Sequence, residues 1–125
     1  IPVCFVSTYE DHIAPWKSTY EGVKLFGGSK RFILGGSGHI AGIVNPPEAN
    51  KYGYRVTSRP PANPENWAEK AEVHEGSWWP EWEKWLGPRS GKKIPARAPG
   101  ELESYPALAP APGTYVSDIP TVSKD

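Results

Sequence analysis

The sequence predicts an α/β protein built on a parallel strand pair, and three observations predict it. Residues 1–8, Ile-Pro-Val-Cys-Phe-Val-Ser-Thr, are an almost continuous apolar run, the pattern of a strand covered on both faces. Trp16, Tyr20, Val23 and Phe26 then recur at helical spacing. A second strand-like run, Lys-Arg-Phe-Ile-Leu, occupies 30–34. Strand, loop, helix, strand is one βαβ crossover, and it implies that the two strands run parallel.

Each element has a local justification. Pro15 suits the first turn of the helix, and Gly27-Gly28 ends it. A glycine-dense loop leaves the second strand at Gly35 and closes at Asn45-Pro46-Pro47. Residues 51–57 read either as a short edge strand or as an extended loop. Asn63-Pro64-Glu65 is a helix start, with a cap, a proline in the first turn and an acid that complements the dipole. That helix is expected to run to about residue 73, with His74 at its end. A further helix begins near Pro80 and stops at Gly87-Pro88. Trp78, Trp82 and Trp85 share one of its faces, which is expected to dock on the sheet. From residue 88, Pro, Ala and Gly prevail, the composition of an extended arm. Two regions result: 1–87, part of a catalytic-type α/β domain, and 88–125, the arm.

Composition narrows the function. Fourteen basic and fourteen acidic residues are mixed along the chain, so no electrostatic case for nucleic acid exists. No apolar run approaches a membrane span. A single cysteine permits no internal disulfide, which fits a reducing cytoplasm. Methionine is absent and the first residue is Ile1, so the chain reads as part of a longer frame. Three histidines and Cys4 show no metal-ligand spacing, and no metal is expected.

Asp11 and His39 carry the chemistry. Each follows directly after a strand of the βαβ unit, where functional groups gather at the carboxyl ends of parallel strands. A carboxylate there can accept the Nδ1 proton of a histidine and fix its tautomer. Taken alone, Asp11 also reads as a helix cap or Asx-turn, and His39 as a surface residue. Together, in the order acid then histidine, they match the end of an α/β-hydrolase sheet. The nucleophile is missing, because no Gly-x-Ser-x-Gly or Gly-x-Cys-x-Gly turn occurs. Cys4 lies mid-strand without the sharp turn that exposes a nucleophile, so it reads as a buried structural thiol. His12 reads as an exposed neighbour of Asp11.

Glu10-Asp11-His12-Ile13-Ala14-Pro15-Trp16, Gly36-Ser37-Gly38-His39-Ile40-Ala41-Gly42 with Asn45-Pro46-Pro47, and Gly76-Ser77-Trp78-Trp79-Pro80-Glu81-Trp82 resemble the polyhydroxyalkanoate synthases. Pro110-Ala111-Pro112-Gly113-Thr114-Tyr115-Val116 is similar to the end of that family's chains. The likeness is to the single-subunit type. It implies the C-terminal part of an α/β-hydrolase fold with a Cys-His-Asp triad that polymerises (R)-3-hydroxyacyl-CoA into an intracellular polyester. Coenzyme A would be a leaving group, and no cofactor is implied. His39 would match the catalytic histidine and Asp11 the catalytic aspartate, with the elbow cysteine upstream of Ile1. The isolated chain would then be inactive. The parent would work in the cytoplasm at the polyester granule surface, with a homodimer open. Two other readings stay open: an esterase with an upstream serine, or a non-catalytic piece that binds a granule or partner.

Overall fold

A computed structural model describes residues 1–118. The first unit, residues 1–91, contains every strand and helix discussed here. Strand β1 (Val3–Thr8) leads through helix α1 (Trp16–Val23) to β2 (Lys30–Gly35). β1 and β2 are parallel in a register that sets Val3 opposite Lys30 and Thr8 opposite Gly35. The predicted βαβ crossover is therefore present. It is followed by β3 (Tyr54–Thr57), α2 (Pro64–Lys70), β4 (Val73–His74) and α3 (Trp79–Leu86).

The sheet order is β1-β2-β3-β4. β3 lies antiparallel to β2, and β4 antiparallel to β3. The sheet is thus mixed: the expected parallel pair is present, and the strands beyond β2 add to it antiparallel. Residues 51–57 supply an interior strand rather than an edge one. The helix expected to reach residue 73 ends at Lys70, where Ala71 turns extended at ψ 136. Val73–His74 pairs instead with Tyr54 and Arg55. His74 consequently sits in a strand, its ring stacked on Tyr54 at 5.1 Å, and serves no helix dipole.

α1 begins one residue after Pro15 and closes at Lys24, short of the expected Phe26. Its last turn tightens through bonds from Lys24, Leu25 and Phe26 N–H to carbonyls three residues back. Phe26 still packs edge-on to Phe5 at 5.2 Å. α2 starts as expected: the Asn63 side chain accepts from Glu65 N at 2.9 Å and Asn66 N at 3.3 Å.

One face of the sheet holds an aromatic core. Trp16, Tyr20 and Val23 of α1 meet Phe32 and Leu34 of β2 and Trp67 and Ala68 of α2. Tyr20 lies 4.9 Å from Phe32 and 5.5 Å from Trp67, and its hydroxyl donates to Pro61 O at 2.8 Å. The opposite face carries Arg31, Ile33 and Gly35 and meets α3. Arg31 pairs with Glu81 there, and a Cβ on Gly35 would already touch Trp78 Cδ1 at 3.4 Å. Cover on both faces is why β2 is apolar at successive positions.

The second unit, from Lys92 onward, is described by itself. Among its described residues the regular element is a short 3₁₀ turn at Tyr115–Asp118, and most side chains are exposed. No helix among the described residues is long and apolar enough to cross a membrane.

Candidate active site

The acid and the histidine are brought together by two loops that leave the sheet side by side. Beyond the ends of β1 and β2, Tyr9 N donates to Gly35 O at 2.8 Å and Glu10 N to Ser37 O at 3.0 Å. These bonds extend the parallel ladder past the strand ends and carry Asp11 to His39. Ser37 takes a left-handed conformation, φ 66, which turns the chain between two glycines.

Asp11 uses both carboxylate oxygens. Oδ1 accepts from Ile13 N at 2.9 Å and Ala14 N at 2.8 Å, and Oδ2 meets His39 Nδ1 at 2.8 Å. The turn-forming reading and the histidine-pairing reading are therefore both satisfied at once, one by each oxygen. The Ala14 N–H, then the His39 hydrogen bond, hold the Asp11 carboxyl below its usual range. Its side chain is only 7% exposed, whereas the His39 side chain is 45% exposed. An ionised carboxylate only accepts, so Nδ1 must be the donor. In the neutral ring Nε2 is then the acceptor, on a side chain open to solvent, which is the form a general base needs.

His39 stands at the start of a single helical turn, with Gly42 N bonded to Gly38 O at 2.9 Å and Val44 N to Ile40 O at 2.8 Å. Gly42 has no alternative at its position. A Cβ there would lie 2.4 Å from Gly36 O and 2.4 Å from Thr8 Cγ2. By contrast, a Cβ on Gly38 would meet nothing closer than Glu10 O at 4.0 Å.

No family model matches the chain. It is 50% identical over 117 residues to the poly(3-hydroxyalkanoate) polymerase of Methylorubrum extorquens, an alignment that covers 93% of this chain and 19% of that protein. It is 42% identical over 116 residues to poly(3-hydroxyalkanoate) polymerase subunit PhaC of Cupriavidus necator, covering 93% of this chain and 20% of the other. Poly(3-hydroxyalkanoate) polymerase 2 of Ectopseudomonas oleovorans is 46% identical over 114 residues. Through nearly its whole length the chain is similar to these poly(3-hydroxyalkanoate) polymerases. It spans about a fifth of the length of these relatives.

The remaining candidates fall away from the Asp11–His39 pair. Cys4 lies in β1 opposite Arg31, four residues before the strand end and so about 13 Å along it from Thr8. It is half-buried, less enclosed than the sequence suggested. Burial pushes its thiol pKa up, only partly offset by Arg31, which is the wrong direction for a nucleophile. His12 is exposed. Among the described residues no group of three or more His, Cys, Asp or Glu side chains is placed to hold a metal.

The tryptophan segment differs from its expected role. Trp78 is buried, Trp82 is 40% exposed, and Trp85 receives the Arg89 guanidinium over its ring at 4.5 Å. The docking residues are Trp78 and Trp79, whose indole N–H groups reach the loop that follows His39. Helical periodicity finds Trp78 but misses Trp79, because adjacent residues do not share a helix face. Two neighbouring indole donors just before a proline were the available signal.

Proposed function

We propose that this chain is the C-terminal part of the α/β-hydrolase-type catalytic domain of a poly(3-hydroxyalkanoate) polymerase. Asp11 and His39 are the acid and base of a Cys-His-Asp triad, and the thiol comes from a turn outside these 125 residues. One observation carries the reading: the 2.8 Å Asp11–His39 hydrogen bond, formed at the carboxyl ends of adjacent parallel strands.

The chemistry follows from the atoms. His39 Nε2 takes the proton of the cysteine thiol, and Asp11 holds the ring orientation and stabilises the imidazolium. The thiolate attacks the thioester carbonyl of a (R)-3-hydroxyacyl-CoA, and coenzyme A leaves as its thiol with a proton returned by His39. The 3-hydroxyl of a chain end or second monomer then attacks the acyl-enzyme carbonyl, forming the ester bond as the acyl C–S bond breaks and the cysteine thiolate is released. His39, or Asp11 beside it, accepts the hydroxyl proton, and each cycle extends the polyester by one unit. No cofactor enters this scheme, and coenzyme A appears only as product. The reaction belongs in the cytoplasm at the surface of the growing polyester.

The test is coenzyme A release by the complete enzyme. His39→Ala removes the base and should lower turnover by about 100- to 10,000-fold, with a greater loss where the base also generates the nucleophile. Near-normal release would overturn the assignment. The isolated chain should release no coenzyme A.

A further inference from the structure

We infer that Ser77, Trp78 and Trp79 form a clamp that positions His39; the inference rests on the reading of His39 given above. Three consecutive side chains each donate one hydrogen bond to a backbone carbonyl in the segment that follows the histidine. Trp78 Nε1 donates to Gly42 O at 2.9 Å, Trp79 Nε1 to Ile43 O at 3.0 Å, and Ser77 Oγ to Asn45 O. The helical turn that begins beside His39 ends at Val44, so Gly42 O lacks the N–H that a longer helix would provide, and Ile43 O has only Asn45 N at 3.1 Å. The clamp adds a donor to each from a segment more than thirty residues away.

Both ends of the clamp are anchored. Ser77 Oγ also accepts from Trp79 N at 3.1 Å, which fixes the start of α3. Glu81 on the first turn of α3 pairs with Arg31 of β2, so the helix is tied to the same strand that delivers the histidine loop. Gly76 has φ 78, and a Cβ there would meet Asn50 Oδ1 at 2.3 Å. Asn45 is itself buried, its Nδ2 donating to Lys51 O at 2.7 Å. His39 has little packing of its own, with 45% of its side chain exposed. Its ring is held by the Asp11 carboxylate on the β1 side, and its backbone is carried by the clamped turn on the α3 side. The indole N–H groups, rather than the bulk of the rings, are the working part.

The experiment uses the full-length enzyme with Trp78→Phe, Trp79→Phe, the double variant and Ser77→Ala. Phenylalanine keeps a ring and removes the donor. Rates of coenzyme A release are normalised to titrated active sites. For the double variant kcat should fall on the order of ten- to a hundredfold, as a misplaced catalytic group requires, with KM held within about threefold. Histidine-selective 15N labelling supplies a second reading, the His39 Nδ1–H tautomer, which should lose population in the folded variants. A purely structural role would lower the folded fraction without moving that tautomer. Unchanged kcat per site together with an unchanged tautomer would overturn the clamp. If the double variant does not fold, Ser77→Ala and half-buried Trp79→Phe carry the same two readouts. Loss of activity in His39→Ala beside full activity and an unchanged tautomer in the clamp variants would refute the clamp alone. Normal activity in His39→Ala would refute the triad reading, and the tautomer measurement would still decide the clamp.

Discussion

Replacing Gly42 by alanine tests how tightly the histidine loop is seated. The added Cβ would lie 2.4 Å from Gly36 O, 2.4 Å from Thr8 Cγ2 and 2.9 Å from Gly38 O. Ordinary contact begins at 3.4 Å, so relief requires a retreat of about 1 Å, the difference between 3.4 and 2.4 Å. Two of the three neighbours are backbone oxygens and cannot rotate away. The turn itself must move, which lengthens the 2.9 Å bond between Trp78 Nε1 and Gly42 O. Overpacking of this kind costs about 1–3 kcal/mol, and a displacement of about 1 Å at a catalytic group costs on the order of 100-fold in rate. Gly38→Ala is the control, since its Cβ would meet only Glu10 O at 4.0 Å. The assays are urea unfolding and coenzyme A release per active site in the full-length enzyme. Wild-type stability and turnover in Gly42→Ala would refute the reasoning, as would equal damage in Gly38→Ala.

Further expectations follow from the same geometry. Asp11→Asn keeps an oxygen for Ile13 and Ala14 N–H but cannot serve them and accept from Nδ1–H as the carboxylate does. Coenzyme A release should fall by about 100- to 10,000-fold, and an unchanged rate would show that Asp11 does not orient His39. The lowered pKa of Asp11 also gives its contribution to stability a definite pH dependence. In the acid range the unfolded carboxyl binds more protons than the folded one. The contribution is therefore complete well above the ordinary value of 3.8 and disappears as pH falls through and below it. The difference in unfolding free energy between wild type and Asp11→Asn should be flat at neutral pH and shrink in acid; growth in acid would reverse the sign. Trp67→Ala removes the ring that contacts Trp16, Tyr20 and Phe32 together and should cost about 3–5 kcal/mol in denaturant unfolding. A loss below about 1 kcal/mol would mean that these rings are not the core.

The parallel pair, α1 and the placement of Asp11 and His39 were legible because each depends on a pattern short enough to read locally: an apolar run, a helical repeat, and a residue just past a strand end. The Asn63 cap was legible for the same reason. The course of residues 70–74 was not. Helix-forming Lys70, Ala71 and Glu72 carry no glycine or proline to stop a helix. The stop comes from the pairing of Val73–His74 with β3, a tertiary contact that overrides local propensity. The same kind of contact turned 51–57 from an ambiguous segment into an interior strand. Trp78 docks as its place in the repeat implied, but the repeat also named Trp82, which is exposed, and it passed over Trp79, because an amphipathic repeat describes what a helix face buries and not which side chains donate hydrogen bonds to a distant loop.

The central claim is that His39 activates a thiol that lies outside these 125 residues. Alkylation of the full-length enzyme with iodoacetamide at neutral pH, followed by mapping of the modified cysteines, tests it most directly. One cysteine other than Cys4 should react fast in the wild type and slow to the rate of an ordinary thiol in His39→Ala, with Cys4 slow in both. Fast alkylation that persists in His39→Ala, or fast alkylation at Cys4 itself, would contradict the account.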